Sequence, residues 1–189
     1  AENRREVVQE VRGRCGIELK VISGDREASL IARGVLRKER NRKGCIGLVD
    51  IGGGSTEITL CSSGEVTHSA SFPLGALRMQ ELFLKTIPPT PSRRNPVAQL
   101  RHHVRVALSE HVVLENWPRP ERVIGSSGTV KSVSKLGKKE AVGEPRVRTA
   151  ELQRLIQQMI PLSVQQLMMI PGMEEKRTDI ILAGSLLLD

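Results

Sequence analysis

The sequence predicts an α/β domain with a mixed sheet whose first three strands run antiparallel. Three observations carry this. Two turns, Gly52-Gly53-Gly54 and Ser62-Ser63-Gly64-Glu65, separate three short apolar runs of strand character. Apolar residues then recur at helical spacing: Val97, Leu100, Val104, Ala107, Leu108 and Val112. A fourth apolar run, residues 121–124, leads through Gly125-Ser126-Ser127-Gly128-Thr129 into another helix. Three strands, helices, a strand and a helix make an α/β pattern with an antiparallel start, not a regular parallel alternation.

Each element has its own signal. Residues 2–14 set Val7, Val8 and Val11 among charges, an amphipathic helix ended by Cys15-Gly16. Residues 17–22 alternate like a short strand. Ser23 or Asp25 caps the next helix, whose expected apolar face is Leu30, Ile31 and Val35, and residues 37–44 form a charged loop. Strands are expected over 45–51, 55–61 and 66–72, and a helix over 75–84. Pro88-Pro89-Thr90-Pro91 and Asn95-Pro96 make a rigid connection to a helix over 97–114. From Thr149 on the chain is helical, with breaks at Pro161 and Pro171-Gly172. If Ile51 faces Ser55, Cys45 lies opposite Cys61, giving two reduced thiols on facing strands. Met159, Met168, Met169 and Met173 are expected to fill the core, and His102-His103 to lie on a helix surface.

Composition narrows the function classes. A length of 189 residues fits one domain, and 39% apolar residues suffice for a core. No apolar run approaches the roughly 18 residues that span a bilayer, and no leader opens the chain. Three cysteines without metal-ligand spacing fit a reducing compartment, so a cytoplasmic protein with no membrane partner is expected. The net charge of +8 favours polyanions. Phe72, Phe83 and Trp117 are the only aromatics of the Phe, Tyr and Trp class, too few for base stacking, and no major-groove motif stands out. Nucleic acid is therefore a disfavoured partner.

The segment Asp50-Ile51-Gly52-Gly53-Gly54-Ser55-Thr56-Glu57 is the first candidate for chemistry. Successive glycines permit positive φ and close approach, so the turn can aim several N–H groups at one phosphate. Ser55 and Thr56 add hydroxyl donors. Asp50 and Glu57 flank this cradle, a placement that makes sense if a hard cation such as Mg²⁺, or another divalent ion, sits between them and a phosphate. Gly125, Ser126, Ser127, Gly128 and Thr129 form a second candidate, because a helix N-terminus after a strand offers amides to an anion. Ser23-Gly24-Asp25-Arg26-Glu27-Ala28 reads in isolation only as a helix start with acids favoured by the dipole.

Together these segments resemble the exopolyphosphatase/guanosine-pentaphosphate phosphohydrolase (Ppx/GppA) family of the actin-like phosphotransferase superfamily. The matching segments are Ala1-Glu2-Asn3-Arg4, Val21-Ile22-Ser23-Gly24 with Glu27-Ala28, and residues 49–57. Leu74-Gly75-Ala76 with Arg78, residues 125–129, and Arg177 with Asp179-Ile180-Ile181-Leu182-Ala183-Gly184 complete the set, in the family's order. The resemblance implies an actin-like ATPase (ribonuclease H-like) fold. It implies Glu27 as catalytic base, Asp50 as the metal-linked aspartate, Glu57 as an acid of the same site and Gly52, Gly53, Gly54 and Ser55 as the phosphate loop. Residues 125–129 resemble the superfamily's second phosphate or nucleotide motif. The implied reaction is metal-assisted attack of water on a terminal phosphoryl group of inorganic polyphosphate or pppGpp. Arg26 departs from the pattern, standing where many members carry a second acid.

Family members also carry an N-terminal domain with an Asp-x-Gly-Ser/Thr-Asn/Ser motif, and their site lies in the cleft between the halves. Nothing like that motif precedes Ala1 here. Residues 1–189 are accordingly expected to be a single actin-like domain, the second of such an enzyme, inactive without its N-terminal domain. Homodimer pairing is a further expectation from actin-like cleft enzymes. Two other readings stay open. One is an actin-like ATP-binding domain. The other is a catalytically incomplete polyanion-binding domain, with Arg33, Arg37, Lys38, Arg40, Arg42, Lys43, Arg93, Arg94, Lys138 and Lys139 tracking a phosphate chain.

Overall fold

Two tight turns fold one apolar ribbon into the centre of the molecule. Strands β1 (Cys45–Ile51), β2 (Thr56–Ser62) and β3 (Glu65–Phe72) are antiparallel, and β4 (Arg122–Ser126) adds parallel to β1. The sheet order is β3-β2-β1-β4, the mixed α/β sheet with flanking helices that the sequence predicts. The structure is a computed structural model and describes residues 3–39, 43–90, 93, 95–110, 116–136 and 146–189, the side chains of Asp25 and Lys38 excepted.

The second turn is as expected. Ser63 and Gly64 have φ of 52° and 86°, the two left-handed residues of a hairpin whose twist matches its strands. The first turn differs in two ways. The Gly52 N–H donates to the Ser55 carbonyl at 2.9 Å, so Ser55 belongs to the loop and Ile51 faces Thr56. Cys45 consequently faces Ser62, and Cys61 faces Ile46, a slip of one position from the expected pairing. None of Gly52, Gly53 and Gly54 has a left-handed φ, so these glycines serve space rather than backbone handedness.

Strand periodicity gives the sheet two different faces. Helix α2 (Gly24–Lys38) covers one of them, burying Ala32 and Leu36 against Ile46, Leu48 and Cys61. The packed stripe is Ala28, Ala32 and Leu36, with Ile31 and Val35 half-buried beside it, whereas Leu30 is 45% exposed. The expected face was therefore rotated: small alanines at four-residue spacing, not the bulkiest residues, face the sheet. Ser23 caps this helix, its Oγ accepting from the Arg26 N–H at 3.3 Å.

The opposite face meets α3 (Ala76–Met79), which continues as a π-helical turn through Leu84, and α4 (Pro96–Ser109), α5 (Ser127–Lys135), α6 (Thr149–Met159) and α8 (Ile181–Leu188). Phe72, Leu74, Met79, Leu100, Ile156, Met159 and Leu182 form this core. Helix α8 is buried at every position from Ile181 to Leu186, the signature of a helix apolar all round. Asn95 caps α4 with Pro96 at its first position, and Ser163 and Gln166 form a capping box on α7 (Val164–Met168).

Some expectations fail for identifiable reasons. Residues 17–22 form no strand, because among the described residues no partner strand pairs with them. Helix α1 (Arg4–Cys15) ends at Gly16, φ 64°, as predicted, but buries none of its residues. Met159 fills the core, whereas Met168 and Met169 are 47% and 82% exposed. His102 and His103 do lie on the exposed side of α4. The expected end of that helix falls on residues 111–115, outside the described residues, as do Ala1, Glu2, Arg40, Arg42, Arg94, Lys138 and Lys139. Among the described residues no helix is long and apolar enough to cross a membrane.

The thiols give a direct check on the register. Cys61 is fully buried while Cys15 is exposed. Burial, and secondarily the neighbouring Cys45, pushes the Cys61 thiol above its ordinary value, which reduces its reactive thiolate. Alkylation of the native protein, read by peptide mass spectrometry, should label Cys15 first and leave Cys61 unlabelled until denaturant is added.

Candidate functional site

Residues directly opposite in a ladder share a face. The observed register therefore places Asp50 opposite Glu57, with Ser126 beside Asp50 and Ser71 beside Glu57. The row Ser71, Glu57, Asp50, Ser126 crosses all four strands on the α2 side of the sheet. The Ser71 hydroxyl donates to Glu57 Oε1 at 2.9 Å, and the Ser126 hydroxyl donates to Asp50 Oδ2 at 2.5 Å. Glu57 is 4% exposed and Asp50 half-buried. Neither carboxylate forms an ion pair among the described residues. Two ionised acids directly opposite each other repel, a cost that a cation held between them would offset.

The loop that follows β1 is oriented by α3. The Ala76 N–H donates to the Gly52 carbonyl at 2.9 Å and the Arg78 N–H to the Gly53 carbonyl at 3.0 Å. In a trans peptide the C=O and the following N–H point opposite ways. The Gly53 and Gly54 amides thus face away from α3, exposed and without an acceptor among the described residues. The Gly52 amide is already used within the turn, and Ser55, half-buried, supplies its carbonyl there. Thr56 is corrected: it is buried and its hydroxyl donates to the Leu74 carbonyl, so it does not reach the acid row.

The β4–α5 turn lies beside Asp50 through the parallel ladder. Ser127 has φ 90°, a conformation a non-glycine residue rarely adopts. Ser126 stands at the N-cap of α5, yet its hydroxyl goes to Asp50 rather than to the helix amides. The Val130 N–H is taken by Ser127 Oγ at 3.4 Å, leaving the amides of Ser127, Gly128 and Thr129 as the first-turn donors of α5. Thr129 is also corrected as a side-chain ligand: it is buried, and its methyl packs against Gly184. The guanidinium of Arg177 lies directly on Gly128, where a Cβ would collide with it. The sequence carried Arg177 within a motif but gave it no role, because only the tertiary fold brings a residue so distant to the start of α5.

Glu27 sits in the first turns of α2 with its side chain exposed, and its N–H donates to the Ser23 carbonyl at 3.0 Å. Gly24 abuts Ser71: a Cβ on Gly24 would be 3.2 Å from the Ser71 Cβ. The start of α2 therefore meets the β3 end of the acid row, and Glu27 is on the same side of the sheet as Asp50 and Glu57.

These residues fit a hard divalent cation. The two serine hydroxyls engage one oxygen of each acid, leaving Asp50 Oδ1 and Glu57 Oε2 as oxygen donors. Mg²⁺ commonly takes one or two carboxylates and completes its shell with water and phosphate. No cluster of three or more His, Cys, Asp or Glu suited to a metal occurs among the described residues.

The Ppx/GppA phosphatase family profile matches residues 1–189. Exopolyphosphatase 1 of Mycobacterium tuberculosis is 32% identical over 192 residues, which cover 98% of this chain and 55% of that protein. An uncharacterised protein of Streptomyces coelicolor is 31% identical over 190 residues, covering 98% of this chain and 56% of that protein. The chain thus spans a little over half the length of these relatives. Among solved structures, an exopolyphosphatase from Cytophaga hutchinsonii superposes with TM-score 0.79 at 24% identity, covering 100% of this chain and 62% of that one. The Aquifex aeolicus Ppx/GppA family member gives TM-score 0.77 at 22% identity, with 100% and 61% covered. The shared fold and a profile match from end to end lead to one conclusion: the chain belongs to the Ppx/GppA phosphatase family.

Proposed function

We propose that this chain carries one wall of a phosphoanhydride hydrolase site that releases orthophosphate from the end of inorganic polyphosphate or from pppGpp. The observation that carries this reading is the pair of amide donors at Gly53 and Gly54 and those at the start of α5, flanking the facing carboxylates of Asp50 and Glu57. Phosphoryl transfer requires mainly positioning and charge stabilisation, and this arrangement offers both.

In this mechanism the two amide rows hold the equatorial oxygens of the terminal phosphoryl group, and Arg177 adds positive charge at the α5 row. Glu27 holds the attacking water and accepts its proton. The water oxygen bonds to phosphorus as the bridging P–O bond breaks, and the shortened chain leaves with the bridging oxygen. A divalent ion held by Asp50 and Glu57 would neutralise charge on the phosphates. On this reading the facing wall belongs to the length by which the relatives exceed this chain, and the isolated chain is expected to bind without turnover.

Orthophosphate release from long-chain polyphosphate and from pppGpp tests this on the full-length protein. Release from at least one, abolished by EDTA and restored by Mg²⁺, is expected. No release from either with Mg²⁺ present would overturn the reading.

A further inference from the structure

The acid row contains two hydroxyls that the phosphate chemistry does not use. A serine at a helix N-cap ordinarily accepts from the second or third amide of its helix. Ser126 instead turns its hydroxyl across to Asp50, and the capping of α5 passes to Ser127. On the far side of the row Ser71, from an edge strand, donates to the buried Glu57. The two contacts are symmetric about the carboxylate pair: one hydroxyl from each flanking strand engages one oxygen of the nearer acid.

We infer that Ser71 and Ser126 are positioning residues that hold the Glu57 and Asp50 carboxylates so that their remaining oxygens converge on one divalent cation. This rests on reading Asp50 and Glu57 as the cation-holding pair. Each hydroxyl fixes the torsion of a carboxylate that would otherwise rotate between oxygens, and the repulsion between the two acids would drive such rotation. Ser126 thereby has a different role from the phosphate donor its sequence context suggests. The row also bears on Gly24: a Cβ there would stand 3.2 Å from the Ser71 Cβ and press on the serine that engages Glu57.

Outer partners of metal ligands typically contribute about 10–100-fold to metal affinity or activity. Calorimetric titration of the full-length protein with Mn²⁺, without substrate, reads the first directly. Ser71→Ala and Ser126→Ala are each expected to weaken Mn²⁺ binding by about 10-fold or more. Ser126→Thr, which keeps the hydroxyl that engages Asp50, should bind more tightly than Ser126→Ala. Wild-type affinity in both Ala variants, with Asp50→Asn and Glu57→Gln still abolishing binding, would overturn the positioning role and leave the cation site standing. Wild-type Mn²⁺ affinity in Asp50→Asn and Glu57→Gln would overturn the cation site itself, and the positioning role with it.

Discussion

Glu27→Gln should lower kcat for orthophosphate release by about 10²–10⁴-fold, the usual contribution of a positioned general base, while Tm stays unchanged. The separation of the two effects follows from where the residue sits. Its carboxylate is exposed and buries nothing, and its backbone N–H stays on the Ser23 carbonyl whatever the side chain. Losing a charge near a helix start costs only about 0.3–1 kcal/mol. Gln keeps the length and hydrogen-bonding capacity needed to hold water but cannot accept its proton. Rapid-quench phosphate release on the full-length enzyme, beside a melting curve, checks both halves. Equal losses of stability and rate would mean that the residue acts through the fold.

Gly75→Ala should be damaging in a different way, lowering Tm and turnover together. Gly75 has φ −96° and ψ 152°, a conformation open to any residue, so backbone freedom is not why glycine stands there. Space is. A Cβ at this position would overlap the Gly53 carbonyl and the Gly54 nitrogen, both backbone atoms that no rotamer change can move aside. Overpacking of this kind costs about 1–3 kcal/mol. The displaced peptides are those whose amides form the proposed phosphate cradle, and loss of one such donor costs about 10²–10³ in rate. Gly54→Ala is the matching control, because nothing lies within 4 Å of its Cβ position. It should leave Tm alone yet raise KM for polyphosphate, since the added methyl stands where the phosphate approaches. Unaltered KM in Gly54→Ala would remove the loop from the binding site.

Much of this was legible in the residues. Turn glycines and strand periodicity located β1, β2, β3 and β4 to within a residue or two, and the cap at Ser23 had its ordinary signal, whereas Asn95, read only as part of a rigid connection, also caps a helix. The losses share one physical cause: each depended on what an element packs against. The Gly52–Ser55 hydrogen bond moved the register by one and brought Asp50 to Glu57 instead of to Thr56. Residues 17–22 have strand alternation without a partner. Helix α2 turned its alanines inward because close approach to the sheet favoured them over Leu30. Arg177, Ser71 and Gly75 entered the site only through tertiary contacts, although the glycine at 128 was a trace of the first.

The register of the β1–β2 hairpin also acts as an error check on folding. Successive strand residues point to opposite faces, so a slip of one position would send Glu57 to the side where Ile51, Ala76 and Val130 pack together. Burying an unpaired carboxylate there costs several kcal/mol, a large share of the roughly 5–15 kcal/mol that separates a folded domain from its unfolded chain. Misregistered molecules would also lose the Ser71 hydroxyl that engages Glu57 in the native arrangement, and are disfavoured. The acids proposed for cation binding double as a proofreading signal, and a population that passes it carries the carboxylate pair in its facing arrangement.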